Sequence, residues 1–340
     1  MKAAPVIAAL AELGHEQRIV HTGQHYDERM SEVFFVQLGL PRPDVNLGVG
    51  SGSHARQTAE IMTGMEREFG ENSPALAVVY GDVNSTLGAA LAGAKLGVPL
   101  AHVEAGLRSF DDTMPEEINR RLTDQLCALL FATSPEAVGY LAREGRPVSA
   151  VHLVGNPMID TLLASMAKFD TAAVRAALGL TGRYVVATLH RPSNVDDPAR
   201  LRAIMAALRS MATERPVIFP AHPRTRDRIV AEAIEIGKVR MIDPVAYAEM
   251  LDLVQASHAV VTDSGGVQEE TTALGVPCFT LRPNTERPIT IREGTNRLVS
   301  DPSDLADLVR AAQRPSSPHR PEGWDGHAGE RIVDALRGRV

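Results

Sequence analysis

Cysteine is almost missing from this chain. Only Cys127 and Cys278 occur among 340 residues, each inside an apolar run, "QLCALL" and "VPCFTL". No disulfide framework is implied, and both are expected to be buried free thiols. Long apolar runs are missing as well. No uninterrupted stretch of ~18 residues could cross a bilayer, and the start carries no basic segment followed by an apolar core, so a cytoplasmic protein is expected. An excess of positive charge is absent too: the formal net charge is -7. That argues against nucleic acid or an anionic membrane as the main partner, while leaving room for local basic pockets that take small anions. Finally, GxxxxGK[ST], HExxH and CxxC do not occur, so P-loop, zincin and thioredoxin chemistries lack support and no metal is expected.

What is present is an α/β pattern. A length of 340 residues favours two domains, and 44% hydrophobic with 23% charged residues suits a folded globular chain. Short apolar, β-rich runs recur: "HEQRIVHTG", "ALAVVYGD", "VPLAHVEA", "ALLFATS", "AVHLVGN", then "YVVATLH", "PVIFPAH", "VRMID", "HAVVTDSGG" and "VPCFTLR". Most are followed by a helical pattern, as βαβ units with parallel sheets require. Two doubly wound halves are expected, residues 1–165 and 170–315, with a seam between Gly155 and Arg183. Residues 316–340 are expected to form a crossing segment and a last short helix near Gly329 to Leu336.

Open parallel sheets bind ligands beyond the carboxyl ends of their strands. Those ends carry Asp82, Glu104, His190, His222 and Asp263 with Ser264, and a cleft between the halves is the expected site. "VVTDSGGVQEE" reads as a strand, a glycine turn and a helix, where unpaired amides and the helix dipole favour an anion; the alternative is a plain N-cap by Asp263 or Ser264. "GVGSGS" does not complete a dinucleotide loop and reads as a turn into a helix from His54. His190 with Arg191, and His222, stand at strand mouths; Arg287 in "NTERPIT" suits an anion or a surface ion pair. In the first half, "HVEAGLRSFDDTMPEE" (His102 to Glu117) concentrates carboxylates behind an apolar run. Pro115 should start a helix with Thr113 placed for a capping box, and Glu116 and Glu117 lie four before Arg120 and Arg121, the spacing of surface ion pairs. Asp82 and Glu104 have no such account. Carboxylates sharing a dry site cannot all stay ionised, which is acid/base equipment.

Taken in order across nearly the whole chain, "VYGDVNST", "HVEAGLRS", "MPEEINRR", "VGNPMIDTL", "TLHRPSN" and "TDSGGVQEE…TERP" resemble the non-hydrolysing UDP-N-acetylglucosamine 2-epimerases. The resemblance implies two Rossmann-like domains of the GT-B type, no cofactor such as NAD and no metal, and a homodimer. It further implies interconversion of UDP-GlcNAc and UDP-ManNAc by anti elimination of UDP to 2-acetamidoglucal and re-addition. By the same resemblance Asp82, Glu104 and Glu116 match the acid/base carboxylates and His190 the diphosphate-side histidine. Lys2, Arg108, His222, Ser264, Gly265, Gly266, Glu270 and Arg287 match substrate contacts. A B-type glycosyltransferase and a UDP-sugar-binding protein are the competing readings. The family's first strand and "GTRPE" loop are expected to be missing, since "MKAAPVI" matches only the end of that loop. Gln24 and His25 match part of the region where some relatives bind a second UDP-GlcNAc.

Overall fold

The computed structural model describes residues 1–24, 35, 37–168 and 173–337. The chain divides into two compact units, Met1–Leu163 with Glu322–Val340, and Ala164–Pro321. The boundary falls in the stretch without strands between Gly155 and Arg183, and the last segment belongs to the first unit.

In the first unit, β1 (Val20–His21) and β2 (Val45–Asn46) form a parallel pair. A separate four-stranded parallel sheet runs in the order β3 (Ala77–Tyr80), β4 (Leu100–Ala105), β5 (Leu129–Ala132), β6 (Val151–Leu153). β4 and β5 are buried along their whole length, because helices cover both faces of a parallel sheet. One face packs Ala101, Val103 and Phe131 against Val6 of the Ala3–Glu12 helix and Ile332 and Leu336 of the Ala328–Leu336 helix. The other packs Leu100, Leu130 and Ala105 against Ile61, Met65 and Phe69 of the His54–Asn72 helix. That helix is capped by Ser53, as the turn reading of "GVGSGS" predicts.

The returning segment is fastened by specific contacts. Buried Trp324 donates its indole N–H to the Thr133 carbonyl (3.0 Å), and Asp160 accepts the Gly329 N–H (2.8 Å).

The second unit is a six-stranded, all-parallel sheet: β7 (Val185–Thr188), β8 (Val217–Pro220), β9 (Arg240–Ile242), β10 (Ala259–Thr262), β11 (Cys278–Thr280) and β12 (Asn296–Leu298), in the order β12-β11-β10-β7-β8-β9. Direction reverses between β7 and β10, so a crevice opens at their carboxyl ends. Proline opens the helices at Pro115, Pro135, Pro157, Pro192, Pro198 and Pro223, where its fixed φ and missing N–H cost nothing. Of the twelve strands among the described residues, ten lie in the runs picked out above. β2 and β12 do not: "VN" and "NRL" are too short and polar to stand out from the loops around them.

Candidate functional site

The first unit gathers carboxylates at the ends of β3 and β4. Glu104 is buried, and its backbone is left-handed (φ +77°), an uncommon state for a residue with a Cβ. The register with β5 slips between Val103 and Ala105, a bulge that re-aims the side chain. Its carboxylate is ion-paired with the Lys2 ammonium. Such strain persists only where the surrounding structure over-determines it.

Asp82, just past β3, is ion-paired with Arg120, which is buried and also holds Glu117. Glu117 is structural: its oxygens accept the Ser109 N–H and hydroxyl (2.9 Å each) and the Phe110 N–H (3.1 Å), fixing the loop after β4. Its neighbour Glu116 is half-buried and makes no hydrogen bond or ion pair among the described residues. Two expectations therefore fail. The Pro115–Leu126 helix has Met114 at its N-cap with no side-chain cap, while Thr113 turns back to Asp111 (2.5 Å). Arg121 pairs with Asp112 (3.0 Å), and Arg120 is no surface cation. The sequence pattern predicts neither, since a helix face looks the same in sequence whether water or a core lies against it.

Arg108, expected to touch substrate, has its donors taken by the protein itself. It is almost wholly buried, forked onto Glu144 (2.8 and 2.6 Å), and bonded to Asp124 (2.7 Å) and the Leu107 carbonyl (2.7 Å). It braces the turn after β4. Asp124 also meets His102 Nδ1 (2.7 Å), whose Nε2 lies 2.7 Å from the Gly81 carbonyl, one residue before Asp82. Burial alone would raise the Asp124 carboxyl, but His102 and Arg108 outweigh it and hold it below the ordinary range. His102 and Asp124 thus link the ends of β3 and β4, a role that sequence reading missed. Gln24 accepts the Ser85 N–H (3.1 Å) and hydroxyl (2.7 Å); His25 lies outside the described residues.

In the second unit the chemistry stands at the β7/β10 reversal. Asp263, fully buried at the end of β10, accepts the His190 N–H (3.2 Å), the Arg191 N–H (3.0 Å) and the Asn194 amide (3.1 Å), and its Oδ1 lies 2.9 Å from His190 Nδ1. Burial would raise this carboxyl, yet the His190 ring and these donors keep it below its usual value. A carboxylate only accepts, so Nδ1 carries a proton and the half-exposed ring presents Nε2 outward. Asp263 is therefore the orienter of His190. The cap of the Gly265–Leu274 helix is Ser264, whose hydroxyl accepts the Val267 N–H.

Above that turn lies Arg287, close enough that a Cβ on Gly265 would sit 2.5 Å from its Nη1. Arg287 is buried and held by Glu269 (2.9 Å) and Glu286. His222 is exposed, caps its own helix by accepting the Arg224 N–H (3.3 Å), and has its pKa lowered by partial desolvation of the ring, then by His190 and Arg224. Ser264, Gly265, Gly266 and Arg287 thus stand together at one helix N-terminus, an arrangement that can accept an anion.

Glu270, deeper on the same helix, accepts the Tyr247 hydroxyl (3.0 Å). Burial, reinforced by Glu269, pushes its pKa up to about 7 from the ordinary 4.5. The stability it contributes is complete below pH 4.5 and is lost as pH rises through about 7, because the folded chain binds this proton more tightly than the unfolded one. Glu270→Gln is expected to remove that slope, raising stability relative to the parent by about 1–3 kcal/mol at pH 8 and little at pH 4. Denaturant melts at the two pH values measure it, and parallel melts of parent and variant would contradict the assignment.

Among the described residues, no cluster of three or more His, Cys, Asp or Glu side chains could hold a metal ion, and no helix is long and apolar enough to cross a membrane.

Over residues 8–337 the chain matches the family described as UDP-N-acetylglucosamine 2-epimerase. It is 40% identical, over 352 aligned positions, to the UDP-N-acetylglucosamine 2-epimerase of Methanocaldococcus jannaschii, covering 99% of this chain and 95% of that one. It is 44% identical over 300 positions to the UDP-2,3-diacetamido-2,3-dideoxy-D-glucuronate 2-epimerase of Pseudomonas aeruginosa, covering 87% and 82%. The crystal structure of the M. jannaschii UDP-GlcNAc 2-epimerase, in complex with UDP-GlcNAc and UDP, superposes with a TM-score of 0.89 at 39% identity, covering 98% and 95%.

Proposed function

We propose that this chain, which belongs to the UDP-N-acetylglucosamine 2-epimerase family, interconverts UDP-GlcNAc and UDP-ManNAc. The observation that carries the reading is Glu104, a buried acid held in a strained backbone at a strand end and faced by Lys2. The C2 proton of the sugar is poorly acidic because no carbonyl adjoins it. Anti elimination solves this: a base takes the C2 proton, its electron pair forms the C1=C2 bond, and the C1–O bond breaks to release UDP. Return of UDP to C1, with a proton delivered to the other face of C2, gives the epimer. Two proton-transfer groups and an electrophilic cradle for the departing diphosphate suffice.

We assign proton transfer to Asp82, Glu104 and Glu116. Glu116 is supported by its lack of any bond among the described residues, in contrast to the bound Glu117. Departing charge is assigned to His190 Nε2, the amides of Ser264, Gly265 and Gly266, and Arg287; Glu270 suits ribose hydroxyls. Lys2 is assigned to the electrostatic field of Glu104. On the same reading the protein works in the cytoplasm as a homodimer and supplies ManNAc units for surface polysaccharide; light scattering of the purified chain tests the dimer.

Incubation with UDP-GlcNAc in deuterated water is expected to place deuterium at C2 in both epimers. Absence of both exchange and UDP-ManNAc ends the proposal. The 44% identity with the P. aeruginosa protein favours a second reading, in which the sugar is a 2,3-diacetamido uronate. Comparing kcat/KM for the two UDP-sugars decides between them.

A further inference from the structure

The carboxyl ends of the second unit's strands hold the site just described. The opposite, amino-terminal edge holds another cavity, of about 480 Å³. It is lined by Arg183, which precedes β7, Arg215, which precedes β8, and His258, which precedes β10, together with Glu214, Arg310 and Gln313. We propose that this cavity is a binding site for the phosphate group of a small phosphorylated molecule, separate from the nucleotide-sugar site.

Charge is the first reason. Three guanidiniums and one carboxylate line the cavity, in a chain whose formal net charge is -7. Such a local reversal is costly unless an anion meets it. Only Arg310 is neutralised: it is bound to Glu214 (2.5 Å) and to Asp307 (2.5 Å). Arg183 and Arg215 make no hydrogen bond or ion pair among the described residues, so two planar forks remain for a ligand. Their combined charge matches a phosphate dianion, whose oxygens accept such forks in pairs.

His258 is the second reason. The ring is buried, Nε2 donates to the Val309 carbonyl (3.0 Å), and Nδ1 is a buried atom with no partner. Because Nε2 donates, Nδ1 of the neutral ring holds only a lone pair, and a bound phosphate makes the missing bond by drawing a proton onto it. Burial, then the neighbouring Arg215, Arg183 and Arg314, lowers this imidazole's pKa, so a further positive charge is already resisted there and an anion would relieve it. The volume exceeds what bare phosphate fills, leaving room for the rest of a small metabolite.

The test is isothermal titration of the full chain with inorganic phosphate at fixed ionic strength, with saturating UDP present so that the Gly265 turn is occupied. Wild type is expected to take up one phosphate saturably, and the Arg183→Gln/Arg215→Gln double variant to bind at least about tenfold more weakly. Both side chains are solvent-accessible and without partners, so the variant is expected to keep its circular dichroism and its epimerase turnover. The inference is overturned if wild type shows no saturable uptake up to about 20 mM phosphate, a concentration far above the Kd that two charged hydrogen-bonded forks imply. It is equally overturned if the double variant binds as tightly as wild type, or if acetate binds as well as phosphate.

Discussion

Glu104→Gln is expected to lower kcat by about two to four orders of magnitude, the share that a positioned proton-transfer group contributes. The amide keeps the size of the side chain and still accepts from Lys2, so the left-handed turn and the ion-binding side of the site are left alone. KM should therefore move little, and thermal stability should hold. The decisive readout is isotope exchange: deuterium incorporation at C2 must fall in parallel with kcat. A variant within about threefold of the parent rate would remove Glu104 from proton transfer, because general acid/base groups do not act so weakly. Glu117→Gln offers a contrast. Its carboxylate ties Arg120 and the loop after β4, so its loss should appear as reduced stability.

Gly155→Ala is expected to be the most damaging substitution for folding. Gly155 lies where the first unit ends its sheet and meets the returning segment, with φ +86°, and an added Cβ would stand 1.9 Å from the Gly323 carbonyl oxygen. That is a backbone atom and cannot swing aside. Either the loop carrying Trp324 lifts off, breaking its bond to Thr133, or the end of β6 shifts. We expect a loss of more than about 3 kcal/mol and a melting temperature lower by on the order of 10 °C. Gly97→Ala separates the two costs. It has a comparable φ of +72° but nothing within 4 Å, so only the conformational penalty of about 1 kcal/mol applies. Equal melting temperatures for the two variants would refute the close approach at Gly155.

Several features of the site could be read directly from the chain. Asp82 and Glu104 stood out because a carboxylate directly after an apolar run has no ordinary structural task. The turn at Ser264 was visible because serine, two glycines and a helical pattern follow an apolar strand in one short window. The partners of Arg108 were not legible for the converse reason. Its motif neighbours are local, but the groups that consume its donors, Asp124 and Glu144, lie in other elements, Glu144 being 36 positions away. Glu116 and Glu117 are adjacent and chemically identical, and only packing makes one structural and leaves the other available. The capping box at Thr113 failed because Met114, not Thr113, stands at the N-cap before Pro115, which leaves the Thr113 hydroxyl to donate to Asp111.

By itself, then, the chain determined its elements: ten of the strands, the proline-started helices, and which titratable groups end up at strand termini. These follow from interactions spanning a few residues, where apolar periodicity and backbone sterics act. Tertiary structure alone decided which strand lies beside which. Asp263 orients His190, 73 positions away, only because β10 hydrogen-bonds β7 on the edge opposite its sequence neighbour β11. The same pairing sets Arg183, Arg215 and His258 along the opposite edge. Strand order is settled by burial of whole helical faces and by chain closure over long loops, and those terms have no signature in any short window of residues.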